Sequence, residues 1–117
     1  MSDYRNLEVW QKAHALALQI YRATTNFPKD ELYGITSQIR RAATSIPANL
    51  AEGSGRGSKP EMARFSRISL GSANEVEYFL LLARDLGYIP ETHHQELTAE
   101  VSRIRRMLNG LIHSMES

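Results

Sequence analysis

The chain has 117 residues, of which 42% are hydrophobic and 23% charged, as expected of one globular domain rather than a disordered tail. It has no cysteine, which excludes disulfides, thiolate catalysis and cysteine-ligated metals. The formal net charge of +1 hides an asymmetry: residues 1–35 balance, residues 36–71 carry six basic against two acidic side chains, and residues 72–117 carry four against seven. The middle third is where an anionic partner is expected. MSDYRNLEVW lacks the basic-then-apolar order of a secretory leader. The longest apolar run, Phe79–Ala83, falls far short of a membrane span, so the expectation is a cytoplasmic protein with no membrane partner.

The first predicted helix runs from about Asn6 to Asn26. Leu7, Trp10, Ala13, Ala17, Ile20 and Thr24 form its inner stripe, and Phe27-Pro28 stops it because a residue before proline avoids helical geometry. The second begins soon after Pro28 and extends to Ala51 or Glu52. Ile35, Ile39, Ala42, Ile46 and Leu50 recur at spacings of four, three, four and four. Pro47 removes one backbone donor and crowds the carbonyl four residues back, so a bend is expected there. Gly53, Gly55 and Gly57 then supply positive-φ freedom for a turn.

Ser58-Lys59-Pro60-Glu61 opens the third helix as a capping box with proline in the first turn. Its stripe is Met62, Phe65, Ser69, Ser72, Val76, Phe79, Ala83 and Leu86, and Gly87 suits the position just past the end. In the fourth helix Leu97, Val101, Ile104, Leu108, Leu111 and Met115 alternate steps of four and three, like a coiled-coil seam. No stretch alternates with period two. Short connections favour an all-α, antiparallel up-down-up-down four-helix bundle in a single domain over residues 1–117.

Small residues line the facing middles of helices two and three: Ala42, Ala43, Ser45 and Ala48 on one, Ser66, Ser69, Gly71, Ser72 and Ala73 on the other. They let two backbones approach closely. By contrast Tyr78-Phe79-Leu80-Leu81-Leu82-Ala83 is apolar around most of the helix circumference. A bundle this small buries one stripe, so Tyr78, Leu80, Leu81 and Leu82 are candidates for a subunit interface. The alternative is one wide core contact plus an exposed leucine.

Four long segments carry a family resemblance: LEVWQKA, FPKDELYGITSQIRRAATSIPANLAEGSGR, GSANEVEYFLLLARDLGYI and RMLNGLIHS. They resemble the small bacterial four-helix-bundle proteins encoded within intervening sequences of 23S ribosomal RNA genes, to which the accessory protein of diversity-generating retroelements is related. Pro90-Glu91 departs from the small hydroxyl cap often found there, which leaves the start of the fourth helix open by a residue or two. The resemblance implies a ring of five bundles and no enzyme activity. The leucine surplus of the third helix argues only for association of some kind.

The catalytic options fail in turn. His93 and His94 are adjacent and diverge by about 100° on a helix, so they cannot chelate one ion together. Glu91-Thr92-His93-His94 holds a single Glu-x-x-His spacing where di-iron bundles use two with further inward glutamates, and a solvated helix start is expected instead. His14, one position off the stripe, reads as a hydrogen-bonded boundary residue, and His113 has no evident partner. Ser54-Gly55-Arg56-Gly57 is no phosphate loop, since no strand precedes it and the Gly-Lys-Ser/Thr order is missing. It still offers backbone amides beside Arg56 and Lys59, against the alternative of a flexible turn with solvated charges. Glu75, next to the Val76 core position, is expected to pair with Arg40 or Arg41, and Asn49 and Glu52 to satisfy backbone groups that Pro47 releases.

The expected function is therefore that of a non-enzymatic homo-oligomer, a pentamer by resemblance, which needs no cofactor, metal or small-molecule substrate. It binds RNA, DNA or a nucleoprotein through Arg40, Arg41, Arg56, Lys59, Arg64 and Arg67. The alternative is a protein-interaction scaffold without a nucleic-acid role. A third reading, a bundle enzyme or metal carrier, predicts stoichiometric metal in the purified protein.

Overall fold

In a computed structural model that describes residues 3–117, four long helices account for most of the chain. Met1 and Ser2, the start of the stretch read as lacking a leader, lie outside the described residues. The helices are α1 (Glu8–Ala23), α2 (Ser37–Gly55), α3 (Lys59–Asp85) and α4 (Glu91–Glu116). There is no strand among the described residues, and no helix is long and apolar enough to cross a membrane.

The helices pack as a cycle of neighbours, α2 against α3, α3 against α4, and α1 against both α2 and α4. Their shared core holds Leu16, Ile20, Ile39, Ile46, Leu50, Met62, Val76, Leu80, Leu97, Val101, Ile104 and Leu108. These most deeply buried side chains are aliphatic apart from the Met62 thioether, and Phe27 and Phe65 add buried aromatic rings.

Three features differ from expectation. α1 is shorter at both ends than the predicted span, and Val9 and Leu16 are fully in the core whereas Leu7 and Trp10 are half-buried. The chain enters α2 through a 3₁₀ turn at Lys29–Glu31 and a π-helical turn at Leu32–Thr36, and it leaves helical geometry at Gly34 (φ −109°, ψ −121°). α2 then runs continuously through Pro47 to Gly55. Gly53 and Gly55 are thus helical, and Gly57 alone of the three has positive φ (79°). Gly53 is small for another reason: a Cβ there would stand 2.8 Å from Cβ of Phe65 and 3.4 Å from Cα of Met62.

α3 starts and stops as its sequence dictates. The Ser58 side chain accepts from the Glu61 N–H at 3.3 Å. At the far end Gly87 takes φ 79°, Tyr88 N–H reaches the Ala83 carbonyl at 2.8 Å and Gly87 N–H the Arg84 carbonyl at 2.9 Å, which is a Schellman closure. Pro90 precedes α4 without a side-chain cap.

The small-residue seam between α2 and α3 is hydrogen-bonded across its width. Ser69 Oγ donates to the Ile46 carbonyl at 2.8 Å, and the Ser45 and Ser72 hydroxyls pair at 2.8 Å. Asn49 donates to the Ser45 carbonyl and hydroxyl, whereas Glu52 pairs with Arg56. Only Asn49 therefore serves the helix near Pro47, and the carbonyl it meets is that of Ser45, not the one four residues before the proline.

Candidate nucleic-acid interface and subunit surfaces

The six predicted cations do not form one patch. Arg40 and Arg56 are sixteen positions apart on α2 and its C-cap, about 24 Å along the axis. Near the α2–α3 connection the charges are neutralised locally. Arg56 pairs with Glu52 (3.0 Å) and approaches Glu61 (4.0 Å), Arg64 pairs with Glu61 (2.8 Å), and Arg67 pairs with Glu116 at the end of α4. The hydrogen bond from Arg64 holds the Glu61 carboxyl below its ordinary value. Arg56 and Arg64 also flank the ring of Phe65, at 5.1 and 4.4 Å from its centroid. Two of the amides expected to cradle an anion are spent, Arg56 N–H on the Gly53 carbonyl and Glu61 N–H on Ser58.

The cations left without a carboxylate among the described residues are Arg40, Arg41 and Lys59. Arg40 turns towards α1, where Nε donates to Thr24 Oγ1 at 2.8 Å, Nη2 donates to the Tyr21 carbonyl at 3.2 Å, and the guanidinium lies 4.5 Å over the Tyr21 ring. The pairing expected between Glu75 and Arg40 is therefore absent. Glu75 is exposed and so carries no burial cost; it borders a cleft with Arg41 but forms no ion pair with it. Glu77 of α3 instead pairs across to α4, with Arg105 at 3.0 Å.

The apolar surplus of α3 divides in two. Leu80 is 1% exposed and belongs to the core, so it is withdrawn from the interface set; Phe79 and Leu82 are half-buried against the core. Tyr78 (56% exposed) and Leu81 (39%) do face outward, beside His94 and Thr98 of α4. Leu86, assigned to the inner stripe, is exposed as well. In the YFLLLA run every neighbour is apolar, and periodicity alone cannot choose between adjacent stripes.

A second outward apolar surface was not foreseen. Leu18 and Tyr21 of α1, with Trp10, His14, Pro47 and Ala48, line a groove of ≈ 320 Å³ between α1 and α2. Leu18 and Tyr21 are three apart, just off the predicted stripe, and that spacing was the available signal. His14 here stacks on Trp10 (centroids 5.0 Å apart, planes 9°) rather than making a boundary hydrogen bond.

His94 corrects the picture of a solvated helix start. It is buried, its Nε2 lies 3.4 Å from Thr98 Oγ1, and its Nδ1 has no partner. Among the described residues no three His, Asp or Glu side chains gather as metal ligands.

With this arrangement in view, the relatives can be compared. The model of the family described as 23S rRNA-intervening sequence protein matches residues 5–110. The chain belongs to that family. It is similar to a crystal structure of a protein of unknown function from the S23 ribosomal protein family of Bacteroides thetaiotaomicron VPI-5482. The two are 28% identical, with 89% of this chain and 97% of that chain covered and a TM-score of 0.79. No curated protein matches the chain. The family match covers α1, α2 and α3 whole and α4 as far as residue 110, so all six cations lie within it.

Proposed function

We propose that this member of the 23S rRNA intervening-sequence family is a non-enzymatic, homo-oligomeric bundle that binds RNA or DNA phosphates through unpaired cations repeated around a ring. The observation that carries the reading is the division of the basic residues. Arg40, Arg41 and Lys59 have no carboxylate partner among the described residues, while Arg56, Arg64 and Arg67 are paired with neighbours. One such face is screened at physiological salt, and several copies held together act as one polyvalent surface. A pentamer is the favoured number.

Support for the ring comes from the two apolar grooves. In the cycle of neighbours the α1–α2 seam and the α3–α4 seam lie on opposite flanks, and ring closure needs two different complementary faces on each subunit. An antiparallel up-down-up-down order suits the two cross-links between distant segments, Tyr88 to Glu31 and Arg67 to Glu116. The place of action is the cytoplasm.

Filter binding of RNA and of DNA at low salt tests the reading. Retention that falls steeply with salt is expected; no retention at low salt removes the nucleic-acid role. The exposed α1–α2 groove favours a second reading, a scaffold that docks a protein partner. Under it, Arg40→Glu with Arg64→Glu leaves partner capture intact.

A further inference from the structure

Between the end of α1, the connection after Pro28 and the first turns of α2 lies a cleft of ≈ 410 Å³, of which the reading above uses Arg40 alone. Arg40 stands in its wall, fixed at three points, Thr24 Oγ1, the Tyr21 carbonyl and the Tyr21 ring. None of the three is an anion. A guanidinium has five N–H donors and two are engaged, so the remaining donors, including both on Nη1, are free and held in a set direction. Lys29, also lining the cleft, has no carboxylate partner among the described residues. Beneath them Thr36 is buried with its Oγ1 unpartnered.

The cleft wall contains no acidic residue. Asp30 is exposed beside Lys29, and Glu31 is taken by the Tyr88 hydroxyl at 2.8 Å. Phe27, Pro28 and Leu32 give the wall an apolar side, and Thr24 and Thr25 complete it. A pinned arginine and a mobile-headed lysine meeting from two sides suit a tetrahedral anion better than a planar carboxylate, which one arginine fork satisfies alone. The apolar wall leaves room for an organic group joined to that anion.

We propose that this cleft binds the phosphate of a phosphate ester, with Arg40 and Lys29 as its ligands and Phe27, Pro28 and Leu32 against the esterified group. The phosphate can come from a nucleic-acid end or from a free mononucleotide. The proposal goes beyond the nucleic-acid reading: it shares Arg40 with that reading and adds Lys29, Thr36 and an apolar wall. It also differs from a purely structural role for Arg40 at the end of α1, because that role has no use for Lys29.

The test is a ¹⁵N NMR titration of the full chain with inorganic phosphate, adenosine 5′-monophosphate, and an oligonucleotide with a 5′-phosphate beside its 5′-hydroxyl twin. The Arg40 Nε–H signal and the Lys29 and Thr36 amides are expected to move together and saturate with the nucleotide. Lys29→Gln should weaken binding about tenfold, as for one charge-assisted contact, with an unchanged melting temperature. Arg40→Lys keeps the charge and loses the fork, and should also weaken it. A preference for the phosphorylated oligonucleotide assigns the ester to a chain end; a response to the mononucleotide with neither oligonucleotide retained supports the cleft and removes the nucleic-acid role. Equal binding of both oligonucleotides with a stationary Arg40 Nε–H signal overturns the cleft and leaves that role standing. Non-saturating shifts spread over the surface, or Lys29→Gln binding as tightly as the parent, also overturn it.

Discussion

At Gly53 a hydrogen atom stands where any side chain would collide with Phe65. A methyl group there must displace Phe65 Cβ, 2.8 Å away, and the Met62 backbone gives little. Gly53→Ala should therefore destabilise by about 1–3 kcal/mol despite its better helix propensity, read as a lower denaturant midpoint with unchanged slope. Gly55, with open space around it, is the control: the same substitution there gains propensity without a clash. Tyr88 gives a pH-dependent prediction. Its hydroxyl donates to Glu31 Oε2, and that bond, with desolvation and the charge of Glu31, holds the phenol above its ordinary value of 10.0. A raised folded-state value means the contribution is whole below the ordinary tyrosine range and fades as pH climbs through the folded value. Melting temperature should fall with alkalinity in that window, and Tyr88→Phe should flatten that part of the fall.

Among the elements, α2 and α3 share the most extensive contact, and their seam is partly polar. Ser69→Ala removes the donor that reaches the Ile46 carbonyl and should cost about 1 kcal/mol, measurable by chemical denaturation. The helices themselves were legible because their cues agree: Ser58 and Glu61 fix the start of α3, Gly87 its end, and the four–three seam from Leu97 to Leu108 fixes the buried face of α4. The errors arose where local cues conflict with packing. Gly53 and Gly55 look like a turn, yet the close approach of Phe65 and Met62 keeps Gly53 within the helix. The backbone also departs from helical geometry at Gly34, thirteen residues before the Pro47 at which a bend is expected, although the sequence pattern predicts no irregularity there. In the YFLLLA run hydrophobic contrast vanishes, so Leu80, expected at the interface, is fully in the core, while Phe79, expected in the core, is half-buried against it.

For the whole molecule, counting charge by segment found where the arginines are but not which are free. Arg67 is neutralised by Glu116, 49 residues away, and no reading along the chain reveals such a partner. The same limit hid the cleft at Arg40, because Lys29, Thr24 and Thr36 meet only when α1 and α2 pack. The apolar flanks make the assembly prediction concrete. If Tyr78 and Leu81 meet a neighbouring subunit, Leu81→Glu should reduce the light-scattering mass towards the 13.2 kDa of one chain while helical circular dichroism persists. A mass of one chain for the parent protein would sink the ring.

The chain's single tryptophan sits in the α1–α2 groove, stacked on His14 and edge-on to Tyr4 with centroids 5.2 Å apart. Its indole is thus an intrinsic fluorophore at one of the flanks offered for closure. Excluding solvent from that groove should shift its emission to shorter wavelength, so a dilution series followed by fluorescence alone reads out how firmly the subunits hold together, with no label attached.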